Sequence, residues 1–244
     1  MPSISTHKTL IKTLSACCII LFFCQCSVTR HLEADQTLLI KHKISCDNRK
    51  IDKDEMLNYV KPKPNRSFLG FRSRLSFYYN FEHSERKFGT WMRDIVGEQP
   101  ILLDESLNTK NVEQLRLYLN ELGYYNATVQ SYTSYKGKNN KKAIEHYSLH
   151  CNDLFTINNA SYQIPDTTII IEKTRNSSKL KAGKPFAINL LQEEQERIVS
   201  ICNNFGYYAF TKDNILFAAD TTHGPDSVSL VISIKQTNEN SLKK

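Results

Sequence analysis

The fold is decided by two stretches, Leu-Arg-Leu-Tyr-Leu-Asn-Glu-Leu-Gly-Tyr-Tyr at 115–125 and Ile-Val-Ser-Ile-Cys-Asn-Asn-Phe-Gly-Tyr-Tyr at 198–208. In each stretch, apolar residues at helical spacing lead to a Gly-Tyr-Tyr, and the two glycines, Gly123 and Gly206, lie 83 residues apart. Similarity at a fixed period indicates a repeated supersecondary unit. Glycine readily adopts the left-handed conformation that ends many helices. We therefore expect two related folding units, with Gly123 and Gly206 as structural helix stops.

Strand-like alternation of apolar and polar residues surrounds both stretches. The predicted strands cover residues 38–46, 127–135, 143–151, 155–164, 215–220 and 228–235. The main helix is predicted to begin near Asn108 or Thr109 in the first unit and near Asn189 in the second, because these side chains can cap a first turn. Each unit thus has the order strand, helix, helix, strand, strand. This order predicts an α+β fold with two tandem units, each a three-stranded sheet covered by two helices.

The N-terminal segment has the pattern of an export signal. A basic start is followed by the apolar run 14–23, which is too short to span a bilayer. Cysteines come next, at Cys24 and Cys26, and the whole resembles a bacterial lipoprotein signal in which such a cysteine is acylated. We expect a cleaved signal peptide over 1–25 and lipidation of Cys26. Acylation of Cys24 and an ordinary signal peptide are the alternatives, and both also take the protein out of the cytoplasm.

The rest of the chain has the composition of a globular protein. Of its 244 residues, 40% are apolar and 23% are charged, and no apolar run of membrane-spanning length follows the signal. The net charge of +7 favours acidic partners or anionic surfaces, but it identifies none of them.

Three cysteines follow the predicted lipidation site: Cys46, Cys151 and Cys202. Their spacing fits neither a zinc site nor a disulfide framework. Cys202 lies on the apolar stripe of a helix and is expected in the core. Cys46 and Cys151 could meet if their strands are neighbours, but we do not expect a disulfide between them.

His146 and His150 share one face of a predicted strand. Two such histidines could bind a metal, but no third ligand is evident, so we expect a solvated strand face. No metal site, no cofactor and no catalytic residues are predicted, since a nucleophile elbow and a phosphate-binding loop are also missing from the sequence. A periplasmic enzyme is therefore only a weak alternative.

Residues 65–103 interrupt the first unit with alternating basic and aromatic residues. The basic ones include Arg66, Arg72, Arg74, Arg86, Lys87 and Arg93, and the aromatic ones include Phe68, Phe71, Tyr78, Phe88 and Trp91. Such a mixture can bind single-stranded nucleic acid or rest on an anionic membrane surface. It can also pack its rings on the domain while the charges stay hydrated. We expect this third role for an irregular insertion, and no nucleic-acid binding.

The repeated unit resembles a POTRA (polypeptide-transport-associated) domain, and the second copy is similar to the periplasmic part of BamA/TamA-family outer membrane proteins. The similarity is carried by Gly-Lys-Pro-Phe at 183–186, by 194–198 and by Asn-Phe-Gly-Tyr-Tyr-Ala-Phe-Thr-Lys at 204–212. Residues 26–32 resemble the start of lipoprotein-anchored members from the Bacteroidetes group, and Lys-Pro-Asn at 63–65 resembles their first unit.

The resemblance implies a division of the chain into domains. These are a tether at 26–36, a POTRA-like domain at 37–153 with its insertion at 65–103, a second POTRA-like domain at 154–236 and a polar tail at 237–244. Members of the family continue into a C-terminal β-barrel, whereas this sequence ends at Lys244. We therefore expect a truncated relative or a free-standing adaptor, without insertase activity of its own.

The function implied by the resemblance is a periplasmic, chaperone-like scaffold for outer membrane protein assembly or translocation, lipid-anchored at the periplasmic face of the outer membrane. Its implied partners are unfolded outer membrane proteins or a partner β-barrel. Exposed edge strands can take up an extended client by β-augmentation. The expected client-binding residues lie on two such strands: Val129, Ser131, Thr133, Ile215 and Phe217. The alternative is a peripheral envelope-binding lipoprotein that uses the basic-aromatic insertion.

Overall fold

The computed structural model describes residues 28–68, 70–163, 168–222 and 224–235. The predicted signal peptide, the lipidation site Cys26 and the polar tail at 237–244 lie outside these residues. Within them, no helix has both the length and the apolar character needed to cross a membrane.

Strands and helices follow the predicted order, with additional helices in the first part. The first part comprises β1 (Leu38–Cys46), α1 (Lys53–Met56), α2 (Ser73–Asn80), α3 (Lys87–Trp91) with a π-helical turn at Met92–Val96, α4 (Ser106–Glu121), β2 (Thr128–Lys136) and β3 (Lys142–His150). The second part comprises β4 (Thr156–Gln163), α5 (Thr168–Asn176), α6 (Ile188–Asn204), β5 (Ile215–Asp220) and β6 (Ser227–Ile234).

The strands form two three-stranded sheets, in the orders β1-β3-β2 and β4-β6-β5. In the second sheet, β4 pairs with β6 in parallel and β5 pairs with β6 antiparallel. In the first sheet, the Leu38 N–H donates to the Lys141 carbonyl and the Asp47 N–H to the Leu149 carbonyl, so β1 and β3 also run parallel. An α+β chain with two three-stranded mixed sheets confirms the predicted fold class.

The chain forms two compact units whose segments alternate along the sequence. Of the described residues, one unit comprises those up to Ser45, those in Lys53–Val112 and those in Gln130–Ser148. The other comprises Cys46–Asp52, Glu113–Val129 and the described residues from Leu149 onward. The boundary between residues 153 and 154 stays a sequence-based prediction.

The core of the second sheet comes from alternate residues of its central strand. Val228, Leu230 and Ile232 of β6 are buried, as the period of two predicts. They belong to one cluster with Ile157 of β4 and Ile198 of α6. Each fully buried aliphatic side chain contributes about 1.5–3 kcal/mol, so this cluster is a main source of the unit's stability.

The first unit buries a polar cluster between neighbouring strands. The His42 Nδ1 atom of β1 lies 3.0 Å from the Glu145 carboxylate of β3, and its Nε2 atom lies 2.8 Å from the Pro62 carbonyl oxygen. The Tyr147 hydroxyl donates to Glu145 (3.1 Å) and accepts from the Asn111 amide (3.1 Å). These contacts connect β1 and β3 with α4 where apolar packing would be the ordinary solution.

The insertion at 65–103 is helical, which corrects the expectation of an irregular segment. It forms α2, α3 and the π-helical turn, and Leu75 and Tyr79 of α2 are buried in a cluster with Leu38 of β1. Residues four apart lie on one face of a helix, so this pair carries the helical signal. The many basic residues around the pair obscure the signal in the sequence.

Two helices begin before their predicted caps. α4 begins at Ser106, whose N–H donates to the Asp104 side chain (3.0 Å), rather than near Asn108 or Thr109. A carboxylate is favoured there because it accepts a free N–H and faces the positive end of the helix dipole. α6 begins one residue before Asn189, which therefore lies in the first turn and does not cap the helix.

Gly123 and Gly206 lie just beyond α4 and α6 with φ angles of 100° and 89°. The residue after each glycine donates its N–H to a carbonyl five residues earlier, Tyr124 to Leu119 and Tyr207 to Cys202. This bond, with a left-handed residue before its donor, defines a Schellman helix end. The repeated sequence therefore encodes a repeated helix end.

Candidate functional site

Four strands lie at the ends of the two sheets, and two of them are covered. Beside β1, the Leu39 N–H donates to the Ile101 carbonyl and the Leu103 N–H donates to the Thr37 carbonyl, each at 2.8 Å. The Arg72 guanidinium donates to the Ile40 carbonyl at 2.7 Å. The outer side of β1 is therefore occupied along its first half.

The outer side of β4 is covered by the Gly-Lys-Pro-Phe segment at 183–186. The Ile157 N–H donates to the Lys184 carbonyl, and the Gly183 N–H donates to the Ile157 carbonyl, each at 2.8 Å. At the far end of the strand, Arg175 donates to the Tyr162 carbonyl (3.3 Å). The segment 183–186, one of those that carry the resemblance to POTRA domains, thus covers the edge of β4.

The other two end strands, β2 and β5, are open. Within the part of the chain that the structure describes, no backbone hydrogen bond from another segment reaches the outer side of either strand. An edge strand of this kind exposes a row of N–H and C=O groups to which a further strand can pair. The predicted positions Val129, Ser131 and Thr133 lie on β2, and Ile215 and Phe217 lie on β5.

The register of β5 tells which of its N–H groups face outward. The Lys235 N–H donates to the Asn214 carbonyl, so Asn214 is one of the residues whose main chain faces β6. In an antiparallel pair this direction alternates from residue to residue. The main-chain groups of Ile215, Phe217 and Ala219 therefore face outward. Leu216, between two of them, has a side chain that is 46% exposed, so an apolar group lies beside the open edge.

Tyr132 of β2 and His146 of β3 form a stacked pair of rings. The Tyr132 ring stacks on the His146 ring of β3 with centroids 4.4 Å apart and an interplanar angle of 7°. The Ser134 hydroxyl lies 2.8 Å from the His146 Nε2 atom. Burial lowers the pKa of His146, and the charges of Lys43 and Lys136 lower it further. The neutral ring is thus favoured at neutral pH, and Tyr132 presents its other side to solvent.

A buried polar site surrounds Glu194 on α6. The Glu194 side chain is fully buried. Its carboxylate accepts hydrogen bonds from the Tyr162 hydroxyl, the Arg197 guanidinium and the Lys179 N–H. Burial alone would raise the pKa of Glu194, but these donors outweigh burial and lower it. A shallow cavity of about 400 Å³ lies beside Tyr162. Because every donor points at the carboxylate, Glu194 acts as a structural anchor.

The sequence leaves open whether Cys46 and Cys151 meet, and the structure brings them together in a cluster with Asp47. The Sγ atoms of Cys46 and Cys151 are 3.4 Å apart, and both oxygens of Asp47 accept from the Cys151 N–H (3.1 and 3.3 Å). One ligand atom from each of these three residues falls within 4.8 Å of the others. His150 lies 3.6 Å from Asp47, whereas His146 contacts Tyr132, so the two histidines have different partners.

The insertion exposes an apolar patch on the first unit. Phe68 is 76% exposed, Phe88 and Ile95 are each 66% exposed, and Trp91 is 51% exposed. The rings of Phe88 and Trp91 have centroids 6.3 Å apart. The expectation that the aromatic residues of the insertion pack onto the domain is wrong for Phe68, Phe88 and Trp91. We call the neighbouring pair Phe88 and Trp91 the aromatic patch.

The sequence and the fold were compared with those of known proteins. No family model and no curated protein matches the sequence. The chain is similar to solved POTRA-domain structures. With BamA from Haemophilus ducreyi lacking POTRA domains 1–3, it shares 13% identity at a TM-score of 0.43, over 82% of this chain and 30% of that one.

Two further similar structures contain POTRA domains alone. For Haemophilus influenzae BamA POTRA3-5, identity is 12% and the TM-score is 0.34, over 84% of this chain and 100% of that one. For POTRA1-2 of the periplasmic domain of Omp85 from Anabaena, the values are 11% and 0.35, over 83% and 98%. The chain spans less than a third of the H. ducreyi structure. At these identities and TM-scores, function has to be argued from the chain's own edges.

Proposed function

We propose that this chain is a non-enzymatic, POTRA-type periplasmic module that binds an extended segment of another protein as an added strand on β2 or β5. The observation that carries the proposal is the pattern of edges among the described residues. The first half of β1 and the outer side of β4 are covered by the chain itself, while no other described segment pairs with the outer side of β2 or β5. Open edges invite aggregation and native proteins usually blunt them, so two edges left open favour a strand-pairing role.

Main-chain hydrogen bonds provide the affinity in this mode of binding, and side chains tune it. On β5, the outward N–H and C=O groups of Ile215, Phe217 and Ala219 form the ladder. Leu216 then lies on the solvent face beside the added strand, where it can pack against an apolar client residue. On β2, the exposed ring of Tyr132 lies on the solvent face and can serve the same purpose.

The clients we propose are unfolded outer membrane proteins or a partner outer membrane β-barrel. Two observations support this choice. The sequence carries a lipoprotein-like signal ending at Cys26, which favours attachment at the periplasmic face of the outer membrane. One similar structure is titled as part of the periplasmic domain of Omp85. Outer membrane strands alternate apolar and polar residues, which suits an edge with one solvated face.

Adjacent alanines of β5 allow a matched test. Ala219→Pro removes an outward N–H and leaves the β6 ladder intact, whereas Ala218→Pro removes a ladder N–H. A photo-crosslinking amino acid at Leu216 reports capture of a strand-length peptide from an outer membrane β-barrel. We expect Ala219→Pro to lower the cross-link yield at least tenfold with little change in the melting temperature.

Ala218→Pro is the control for damage to the fold, and we expect it to lower the melting temperature clearly. If Ala219→Pro stays folded and cross-links as the parent does, strand addition at β5 is wrong. The same comparison with prolines along β2 tests the other edge.

A second candidate function is favoured by the aromatic patch. Exposed aromatic residues next to Arg86 and Lys87 suit the interface of an anionic membrane. Flotation with phosphatidylglycerol-containing vesicles tests it, using Phe88→Ala with Trp91→Ala. The control is Tyr208→Ala, which removes a ring that is 73% exposed in the other unit. Flotation that survives the double change would exclude the aromatic patch as a membrane contact.

A further inference from the structure

Cys46 and Cys151 lie at the ends of neighbouring parallel strands. Cys46 is the last residue of β1, and Cys151 directly follows β3. The Asp47 N–H donates to the Leu149 carbonyl, which fixes the two strand ends side by side. Their Sγ atoms, 3.4 Å apart, are close enough that small side-chain rotations bring them to the bonded distance of about 2.05 Å.

The two thiols differ in access. Cys151 is 2% exposed, whereas Cys46 is half-buried and open to a reagent on one side. Cys202, the third cysteine of the described chain, is buried in the core around α6 and has no cysteine near it. Burial raises the pKa of Cys202 to about 11, so its thiol is a poor nucleophile.

We propose that Cys46 and Cys151 form a disulfide once the chain meets a disulfide-carrying oxidant, and that this bond joins the ends of β1 and β3. The two cysteines are 105 residues apart in the sequence. They lie side by side only because β1 and β3 are neighbours in the sheet. The proposal depends on the proposed export of the chain in one respect. Oxidants of this kind act outside the cytoplasm, so export determines where the chain would meet them.

The reaction is a thiol–disulfide exchange with an oxidised thiol–disulfide oxidoreductase or with glutathione disulfide. The Cys46 thiolate attacks a sulfur of the oxidant and releases the first oxidant thiolate. The Cys151 thiolate then attacks the Cys46 sulfur and releases the second. Two protein thiols thereby lose two protons and two electrons, and the oxidant disulfide becomes two thiols.

The surroundings favour a structural bond over a catalytic one. Burial raises the pKa of the Cys151 thiol, and the nearby Cys46 and Asp47 raise it further. A thiol of high pKa is a poor leaving group, so a bond that includes Cys151 is released slowly.

The same surroundings disfavour a metal ion. A cysteine ligand must stay a thiolate for as long as the ion is bound, whereas the exchange needs the Cys151 thiolate in one step only. Burial and Asp47 oppose that charged form. Both Asp47 oxygens already accept the Cys151 N–H. A disulfide uses the proximity of the sulfur atoms without needing these groups.

Peptide mapping by mass spectrometry tests the proposal on the full chain. Purified protein is treated with glutathione disulfide, blocked with N-ethylmaleimide under denaturing conditions and digested without reductant. We expect one cross-linked pair of peptides containing Cys46 and Cys151, separable by reduction, and a Cys202 peptide that carries maleimide. Maleimide on Cys46 and Cys151 as well as Cys202 after oxidation would overturn the proposal, and so would one bound zinc ion per chain that blocks oxidation.

A stability measurement provides a second readout. Closing a loop of this length restricts the unfolded chain, so reduction of the oxidised protein should lower the melting temperature by about 10 °C. Cys46→Ser is the informative variant because Cys46 is half-buried, and its melting temperature should not respond to reductant. An unchanged melting temperature on reduction of the mapped disulfide would contradict its structural role. The same peptide mapping is then done on protein isolated from cells without added oxidant. A disulfide that forms in the purified protein but is missing from cells would contradict the proposed location and not the bond.

Discussion

Gly123 and Gly206 end equivalent helices, but their surroundings differ. A Cβ atom on Gly123 would lie 3.1 Å from a methyl carbon of Leu154 and 3.1 Å from the Phe186 carbonyl oxygen, whereas a Cβ atom on Gly206 would meet nothing within 4 Å. The tyrosines that follow also differ. Tyr125 donates its hydroxyl to the Phe186 carbonyl (3.1 Å), whereas Tyr208 is 73% exposed. One repeated sequence thus carries different constraints in its two copies.

We predict that Gly206→Ala lowers the free energy of unfolding by about 1 kcal/mol, the cost of alanine at positive φ. Gly123→Ala should cost about 2 kcal/mol or more, because the methyl group also presses on a backbone carbonyl. Urea unfolding of the two variants measures the difference. Equal losses would mean that the contact with Phe186 gives way freely.

The buried carboxylate of Glu194 gives a pH prediction. Its pKa is lowered in the fold from the ordinary 4.5, so it stabilises the fold above about pH 4.5, and this stabilisation is lost as the pH falls through the lower, folded pKa. We expect Glu194→Gln to flatten the acid decline of stability measured by urea unfolding between about pH 5 and 3.

Glu196→Gln on the same helix is the control for that prediction. The Glu196 carboxylate is paired with Lys212 at 2.7 Å but is exposed, so solvent screens the pair. Its replacement should leave the acid decline almost unchanged. A parallel effect of both substitutions would assign the pH dependence to net charge.

At the scale of elements, strand pairing brings together residues that the sequence keeps far apart. Lys43 on β1 acts on His146 on β3, about a hundred residues later, and contributes to lowering the pKa of that histidine. We predict that Lys43→Gln raises the pKa of His146 towards its ordinary 6.5, measured by NMR titration of the ring. Burial still lowers the pKa of His146 in this variant, so we expect the pKa to rise only part of the way towards 6.5. An unchanged titration would leave burial as the sole cause.

The elements differ in how far the sequence predicts them. β5 is predicted at its observed bounds, Ile215–Asp220, because apolar alternation and turns delimit it. The helix around Leu75 is missed because basic residues mask a short apolar face. The contact between Cys46 and Cys151 is anticipated only on the condition that their strands are neighbours, and no local pattern determines which strands pair.

The strands β2 and β5 lie at sheet edges because, in each strand-helix-helix-strand-strand unit, the last strand of the chain order is the central one and pairs with both others. The covers on β1 and β4 are not predictable in the same way. A loop carbonyl such as that of Lys184 has no sequence signature, and any residue in its place supplies one. The edge position of β2 and β5 agrees with the sequence-based expectation, whereas client binding at these strands stays a prediction.

For the whole molecule, binding through the main chain predicts tolerance of client sequence. Strand-length peptides with the same alternation but scrambled order should bind within about threefold of one another by fluorescence anisotropy. Methylation of alternate backbone nitrogens should abolish binding, because it removes the donors that face the edge. Affinity that follows side-chain order and survives methylation would point to recognition by a pocket.

Covered edges on β1 and β4 also set a stoichiometry. Within the described chain, each sheet has one side open to pairing and one side closed by its own backbone. In the described chain, one strand can therefore pair directly with each sheet, at β2 or at β5. Two copies that pair through the same open edge close that sheet, because its other side is covered by the chain itself. The covers thus limit direct strand addition to one edge of each sheet.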